Sequence, residues 1–150
     1  MKKALAALVI VCGTALASGF DLGFSIRNGS NGTFMGQLGI YLDGWPVDFR
    51  TNLILGSPEG AILSAEVLYP IGTLLFVTPY VGAGVATGLT AYTAANELRI
   101  RFGERFYGMF SAGLQFPDRG YRPYVEVTQF VGSESFTRFT VGFLVNVRLF

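Results

Sequence analysis

From Phe139 to Phe150 the chain reads F-T-V-G-F-L-V-N-V-R-L-F, with an apolar residue at every second position. Successive side chains of a strand point to opposite sides. Phe139, Val141, Phe143, Val145, Val147 and Leu149 therefore share one face, and Thr140, Gly142, Leu144, Asn146, Arg148 and Phe150 share the other. One face is wholly apolar; the other is mixed and carries an arginine. That is the pattern of a strand with lipid on one side and a polar interior on the other.

The pattern recurs. Seven further segments alternate in the same way: Phe20–Arg27, Thr33–Asp43, Val47–Leu55, Ala61–Tyr69, about Leu75 to Thr87, Arg105–Phe116 and Arg122–Val131. The fifth is the least regular, with Val77, Val81, Ala83 and Val85 as its outer face; the seventh has one polar residue, Gln129, in its apolar phase. The charges Asp21, Arg27, Asp43, Asp48, Arg50, Glu66, Arg105, Glu126, Arg138 and Arg148 all occupy the phase opposite to the apolar one. A lipid-facing Arg or Lys at the bilayer midplane costs about 2–4 kcal/mol, so this segregation has a physical cause. The expected fold is all-β, one up-and-down antiparallel transmembrane barrel of eight strands.

The connectors are turn-forming by composition, as in Asn28-Gly29-Ser30-Asn31-Gly32, Asp43-Gly44-Trp45-Pro46 and Gly56-Ser57-Pro58-Glu59-Gly60. One is long, Gly88 to Glu104, and Leu98–Phe102 within it alternates as well. It either prolongs its neighbours beyond the membrane or crosses separately as a ninth strand. With eight strands and a periplasmic N-terminus, this long loop is external, as outer loops tend to be. Aromatics gather near strand ends: Tyr41, Trp45, Phe49, Tyr69, Phe76, Phe116, Tyr121 and Tyr124 toward one rim, and Phe34, Phe106, Tyr107, Phe130 and Phe136 toward the other. Two interfacial girdles are expected from them.

The start fixes a compartment. Met1-Lys2-Lys3 is a basic head, Ala4 to Leu16 is mostly apolar, and Ala15-Leu16-Ala17 is a small-x-small site. These are the parts of a cleaved signal peptide, and the run is too short for a spanning helix of about 20 residues. Residues 1–17 are read as that signal and 18–150 as the barrel. The sole cysteine, Cys12, falls in the signal, so the mature chain has no thiol chemistry. Both lysines go too, leaving nine arginines against ten acidic residues. No basic excess points to nucleic acid.

At the C-terminus, Thr140-x-Gly142-x-x-Val145-x-Val147 with terminal Phe150 resembles the barrel-assembly signal of bacterial outer-membrane proteins. Tyr80-Val81-Gly82-Ala83-Gly84 is similar to a run common in small eight-stranded barrels of the OmpA/OmpX type. The resemblance implies an outer-membrane location and recognition of the last strand by the outer-membrane assembly machinery. Phe150 departs from the usual register, being out of phase with Val147 and Leu149; a terminal bulge could absorb that.

Catalytic chemistry is hard to build here. There is no histidine, and the known barrel enzymes of the outer membrane depend on one. The strand carboxylates Asp21, Asp43, Asp48, Glu66 and Glu126 are scattered over separate segments, and no loop has the alternating acidic pattern of a hard-cation site. Gly82-Ala83-Gly84-Val85-Ala86-Thr87-Gly88 superficially resembles a dinucleotide fingerprint but has no following helix pattern. No enzyme, cofactor or metal is expected.

The inward charges suggest a lumen network instead. A symmetric Gly56–Gly60 loop would set Arg50 directly opposite Glu66. That pair, with Arg105, Glu126 and Arg148 and the polar Gln37, Asn52, Tyr107, Gln115, Tyr124 and Asn146, would fill an interior just wide enough for side chains, because buried charges must be paired. Arg99 and Arg101, near the outer rim, would contact lipid phosphate or a partner. The expected role is structural or surface interaction around a plugged barrel. The alternatives are a narrow channel for small solutes, and a soluble barrel whose apolar phase points inward around a ligand.

Overall fold

A computed structural model describes residues 19–28, 32–57, 60–94, 97–116 and 120–147. They form eight strands: β1 (Gly19–Arg27), β2 (Thr33–Leu42), β3 (Asp48–Ser57), β4 (Gly60–Pro70), β5 (Thr78–Ala94), β6 (Glu97–Gln115), β7 (Tyr121–Gly132) and β8 (Phe136–Asn146). Each pairs antiparallel with the next, and β1 pairs with β8 from Gly19↔Asn146 to Arg27↔Arg138, closing the barrel. The proposed signal segment, residues 1–17, and Arg148 and Phe150 lie outside the described residues.

The apolar phase faces out. Phe24 and Phe34 are 80% and 76% exposed, and Leu22, Leu38, Phe49, Val67, Val85, Phe110, Val127 and Phe143 are exposed with them. The alternate residues are buried: Asp21, Arg50, Glu66, Glu126 and Arg138 all point inward. This overturns the soluble alternative, whose apolar phase would line the interior. Gln129 keeps its place on the outer wall because Thr137, its cross-strand neighbour, donates to its Oε1 at 2.6 Å.

Several boundaries differ from the sequence reading. Leu98–Phe102 belongs to β6 and pairs with β5, from Leu89↔Phe102 to Ala94↔Glu97, so the long connector is a tall hairpin and not a ninth strand. A bulge opposite Gly88, with Gly103 at φ 82°, joins this extension to the barrel wall. The fifth strand begins at Thr78, not Leu75, because Leu74 and Val77 close a tight turn with paired backbone bonds of 2.8 and 3.0 Å. The eighth begins at Phe136 and ends at Asn146, so Val147 lies past it.

The girdle assignment needs correction as well. Tyr41, Phe130 and Phe136 are buried in the lumen, not at a lipid-facing rim, and Tyr107 and Tyr124 lie there with them, in the lumen filling expected of them and not in a girdle. All five occupy the inward phase of their strands, and a position near a strand end does not change that parity.

The lumen network as the candidate functional site

The closed sheet has an upper mouth, at the β1–β2, β3–β4, β5–β6 and β7–β8 connections, and a lower mouth, where Gly19 meets Asn146. Between them every strand contributes at least one polar side chain to a buried network. Among them are Asp21 (β1), Gln37 (β2), Arg50 (β3), Glu66 (β4), Tyr80 (β5), Ser111 (β6), Glu126 (β7) and Arg138 (β8).

Arg50 is the hub. Its register partner across the β3–β4 hairpin is Glu66. Arg50 Nε donates to Glu66 Oε1 at 2.9 Å, and Nη2 lies 2.8 Å from the same oxygen. Nη2 also donates to Glu126 Oε2 across the lumen, and Nη1 stands 3.6 Å from Asp21 Oδ2. The remaining carboxylate oxygens are engaged too. Ser111 Oγ donates to Glu66 Oε2 at 3.0 Å, Tyr80 Oη to Glu126 Oε2 at 2.8 Å and Thr128 Oγ1 to Glu126 Oε1 at 2.9 Å. Tyr124 Oη and Gln37 Nε2 donate to Asp21 Oδ1 and Oδ2, both at 2.7 Å. Every oxygen of the three carboxylates is engaged, and Arg50 Nη1, which makes no hydrogen bond, keeps its ion pair with Asp21, so the buried charges avoid much of the desolvation penalty of isolated ones.

Arg138 is held more loosely. Its Nη2 is 3.6 Å from Glu126 Oε1 and 3.5 Å from Thr128 Oγ1, while its Nε and Nη1 make no hydrogen bond. Its guanidinium sits 5.4 Å from the Phe130 ring centre. Phe130 stacks on Phe136 at 4.4 Å, and Arg27 lies 4.1 Å over the far side of Phe136. A cation–ring–ring–cation column thus runs from the upper mouth to the charged layer. Tyr107 meets both phenyl rings edge-on at 5.9 and 5.8 Å. With Met35, Ile54, Ile62 and Met109 these rings make an apolar plug above the network. Tyr41, Leu68 and Leu144 pack below it.

Room for this filling comes from small residues on the inner wall. A Cβ at Gly142 would lie 2.5 Å from Tyr124 Cζ, and one at Gly113 would lie 2.5 Å from Tyr80 Cζ. Each ring lies over a glycine, which is how two tyrosines reach the carboxylates inside so narrow a barrel.

The lower mouth is tied shut by Arg122. Its Nη1 and Nη2 donate to the two carboxylate oxygens of Asp43 at 2.9 and 3.2 Å, and Nη2 reaches Asn146 Oδ1 at 3.0 Å. The guanidinium lies 4.8 Å from the Tyr41 ring centre, and Tyr41 Oη donates to Asp48.

Of the residues expected in the lumen network, Arg50, Glu66 and Glu126 meet directly. Arg105 does not join them. It lies above the paired part of β7, whose last partner on β6 is Tyr107 (Tyr107↔Gly132), and its Nη1 is 3.9 Å from Glu134 at the upper mouth. Arg148 is outside the described residues. Asp21, Tyr80 and Arg138 join the network without having been assigned to it. Their inward phase was visible in the sequence, but their meeting depends on closure of the ring. At the proposed assembly signal, Thr140 and Gly142 face the lumen, Val145 continues the outer phase opposite Phe20, and Val147 follows the strand end; Phe150 is outside the described residues. Arg101 donates to Glu104 at 2.6 Å, both exposed; Arg99 sits in β6, its side chain outside the described residues. Among the described residues no group of acidic, histidine or cysteine side chains is arranged to hold a metal.

No protein-family model matches the sequence, and no curated protein matches it. Solved structures do. The N-terminal β-barrel domain of Pseudomonas aeruginosa OprF superposes with a TM-score of 0.61 at 15% identity, covering 87% of this chain and 98% of that one. Neisserial surface protein A gives 0.61 at 11% identity, covering 85% and 94%. A de novo designed transmembrane β-barrel gives 0.58 at 13% identity, covering 87% and 97%. At these identities the likeness is one of fold, that of the eight-stranded transmembrane barrels. A designed barrel among them makes the point that this fold carries no particular activity with it.

Proposed function

We propose that this chain is an integral barrel of a bacterial outer membrane that works as a closed structural body and through its surfaces, and that it is not an enzyme. The observation that carries the reading is the inverted segregation: an apolar outer wall around a buried layer to which all eight strands contribute a polar group. An apolar wall of this extent is stable in lipid and costly in water. The solved barrels of the same fold are membrane proteins, which supports the location.

In this orientation the lower mouth faces the periplasm and the tall β5–β6 hairpin stands outside. Residues 1–17 direct export and are removed, leaving 18–150 as the barrel. The last strand, with Thr140, Gly142, Val145, Val147 and Phe150, is the segment offered to the assembly machinery. Arg99 and Arg101 on the outer hairpin contact lipid phosphate or an external partner. The lumen is plugged by the Arg50, Glu66 and Glu126 network and the aromatic rings above it.

The test is fractionation followed by electrophoresis. The protein should stay with carbonate-washed membranes, and unboiled samples should migrate faster than boiled ones, as a detergent-resistant barrel does. Release into the soluble fraction would refute the reading.

A second reading, a narrow conducting pore, is favoured by one observation: the loose hold on Arg138, which leaves two of its guanidinium nitrogens without hydrogen bonds inside the lumen. Single-channel recording separates the two. The closed body gives no discrete openings; the gated pore gives small ones that Arg50→Ala enlarges.

A further inference from the structure

The two mouths differ in how they end. At the lower mouth the β2–β3 connection carries Asp43, bonded to Arg122, while the β4–β5 connection carries no charge at all. No charged residue stands anywhere between Glu66 and Glu97. Within that run, Ile71, Leu74, Leu75 and Phe76 project from the end of the barrel, with Leu75 95% exposed. Trp45, the only tryptophan, is 94% exposed at the same mouth.

This connection has a defined shape. Ile71 N donates to Pro79 O at 2.8 Å, Thr73 Oγ1 and Thr78 Oγ1 lie 3.1 Å apart, and Leu74 and Val77 exchange backbone bonds around a two-residue tip. Leu75 takes φ 58° to make that tip. A left-handed conformation is unfavourable for a bulky side chain, and glycine or asparagine ordinarily fills such a place. The turn therefore holds two large apolar side chains outward at a cost in backbone strain.

The tip is continuous with the wall. Ile71 lines one apolar groove on the outer face together with Val81, Leu114, Val125 and Val127. With a rise of about 3.4 Å per residue and a tilt near 40°, the uncharged strand from Thr78 to Leu89 stands on the order of 30 Å tall, against an apolar belt of about 25 Å, and the turn Ile71–Val77 projects below it. On this side of the barrel the uncharged surface outruns a hydrocarbon core.

We infer that the β4–β5 hairpin, Ile71 to Val77, is an interfacial anchor that lies in the headgroup boundary of the leaflet at the lower mouth, Leu75 and Phe76 entering the upper acyl region. The occupant of this surface is lipid because the surface is uncharged and unbroken from wall to tip. A protein-docking knob would be expected to carry the polar rim that borders such patches. Trp45, exposed at the same mouth, is of the residue type that favours the headgroup level.

This inference rests on the membrane reading, and the experiment keeps the two apart. Trp45→Phe removes the native fluorophore, and Phe76→Trp or Val85→Trp then places a single one on the tip or on the mid-wall. Each protein is refolded into phosphatidylcholine vesicles whose acyl chains are brominated either near the glycerol backbone or near the chain end. Leu75→Trp replaces Phe76→Trp if the latter gives no heat-modifiable barrel. The anchor predicts that the Phe76→Trp protein emits to the blue of free tryptophan and loses more emission to shallow bromines than to deep ones, while the Val85→Trp protein is quenched by the deeper set. Quenching of the Val85→Trp protein alone, with the Phe76→Trp protein quenched by aqueous acrylamide, overturns the anchor and leaves the membrane barrel standing. Shielding of the Phe76→Trp protein from bromine and acrylamide alike means a second copy of the chain covers the tip, which also overturns it. Absence of bromine quenching in both proteins overturns the membrane reading and the anchor with it.

Discussion

Arg50 and Glu126 stand on β3 and β7, four strands apart whichever way the ring is followed, and their side chains meet inside the lumen. The same guanidinium bonds Glu66 on the adjacent strand. One side chain thus ties both a neighbour and the opposite wall.

Removing it should be expensive. Arg50→Met leaves Asp21, Glu66 and Glu126 facing one another without their shared cation, and breaking a buried pair typically costs about 3–5 kcal/mol. Urea unfolding in lipid vesicles should show that loss. Arg50→Met with Glu66→Gln and Glu126→Gln should recover a large part of it, since a neutral filling avoids the stranded charges. A single variant as stable as the parent would show that the network does not hold the barrel together.

Arg122 offers the contrast. Its bidentate contact with Asp43 has better geometry than several in the lumen, yet Asp43 is half exposed. Solvent-exposed ion pairs are worth about 0–1 kcal/mol. Arg122→Ala should therefore shift the urea midpoint far less than Arg50→Met. Raised salt should reduce the already small difference.

Gly142 and Tyr124 test packing apart from assembly. Gly142→Ala puts a methyl group where the Tyr124 ring lies, and overpacking of this kind costs about 1–3 kcal/mol. Tyr124→Ala vacates the ring, so the double variant should be destabilised by less than the two single losses added. Additive losses would mean that the methyl group at 142 acts through something other than this ring. The same pair separates a stability defect from an assembly defect, because a fault in recognition of the last strand would not be relieved by a change on β7.

On the outer wall, Thr137→Val should cost more than its chemistry suggests. It strands the Gln129 carbonyl in lipid, and an unsatisfied buried acceptor costs about 1–3 kcal/mol. Thr137→Val with Gln129→Val removes both groups and should return stability to the parent value or above it. Vesicle unfolding midpoints for the three proteins decide this.

Much of the architecture was legible in the sequence because a period of two is unambiguous where charges and apolar residues separate so completely. The Arg50–Glu66 contact was legible for a more local reason. Ile54 faces Ile62 and Arg50 faces Glu66 about one symmetric centre, and the bulge between Ile54 and Ser57 falls above them. Glu126 meeting Arg50 could not be read that way, because it depends on the curvature of the whole ring. Arg105 stays out of the layer because it stands above Tyr107, the last β6 residue paired with β7, and well above Ser111; inward parity alone does not give depth along a strand. The buried aromatics Tyr41, Phe130 and Phe136 differ from the expected girdles for another reason: nearness to a strand end says nothing of which face a side chain takes, and parity turns all three inward.

The polar layer to which every strand contributes has a consequence for how the barrel is made. A sheet that has not yet brought β1 to β8 holds Arg50 and Glu66 together, but Asp21 and Arg138 remain on two open edges. A strand slipped by one residue would turn its member of the layer toward the lipid. Pairing of the interior charges, correct registration of every hairpin and completion of the ring are therefore met together. Only the finished cylinder satisfies the whole polar layer.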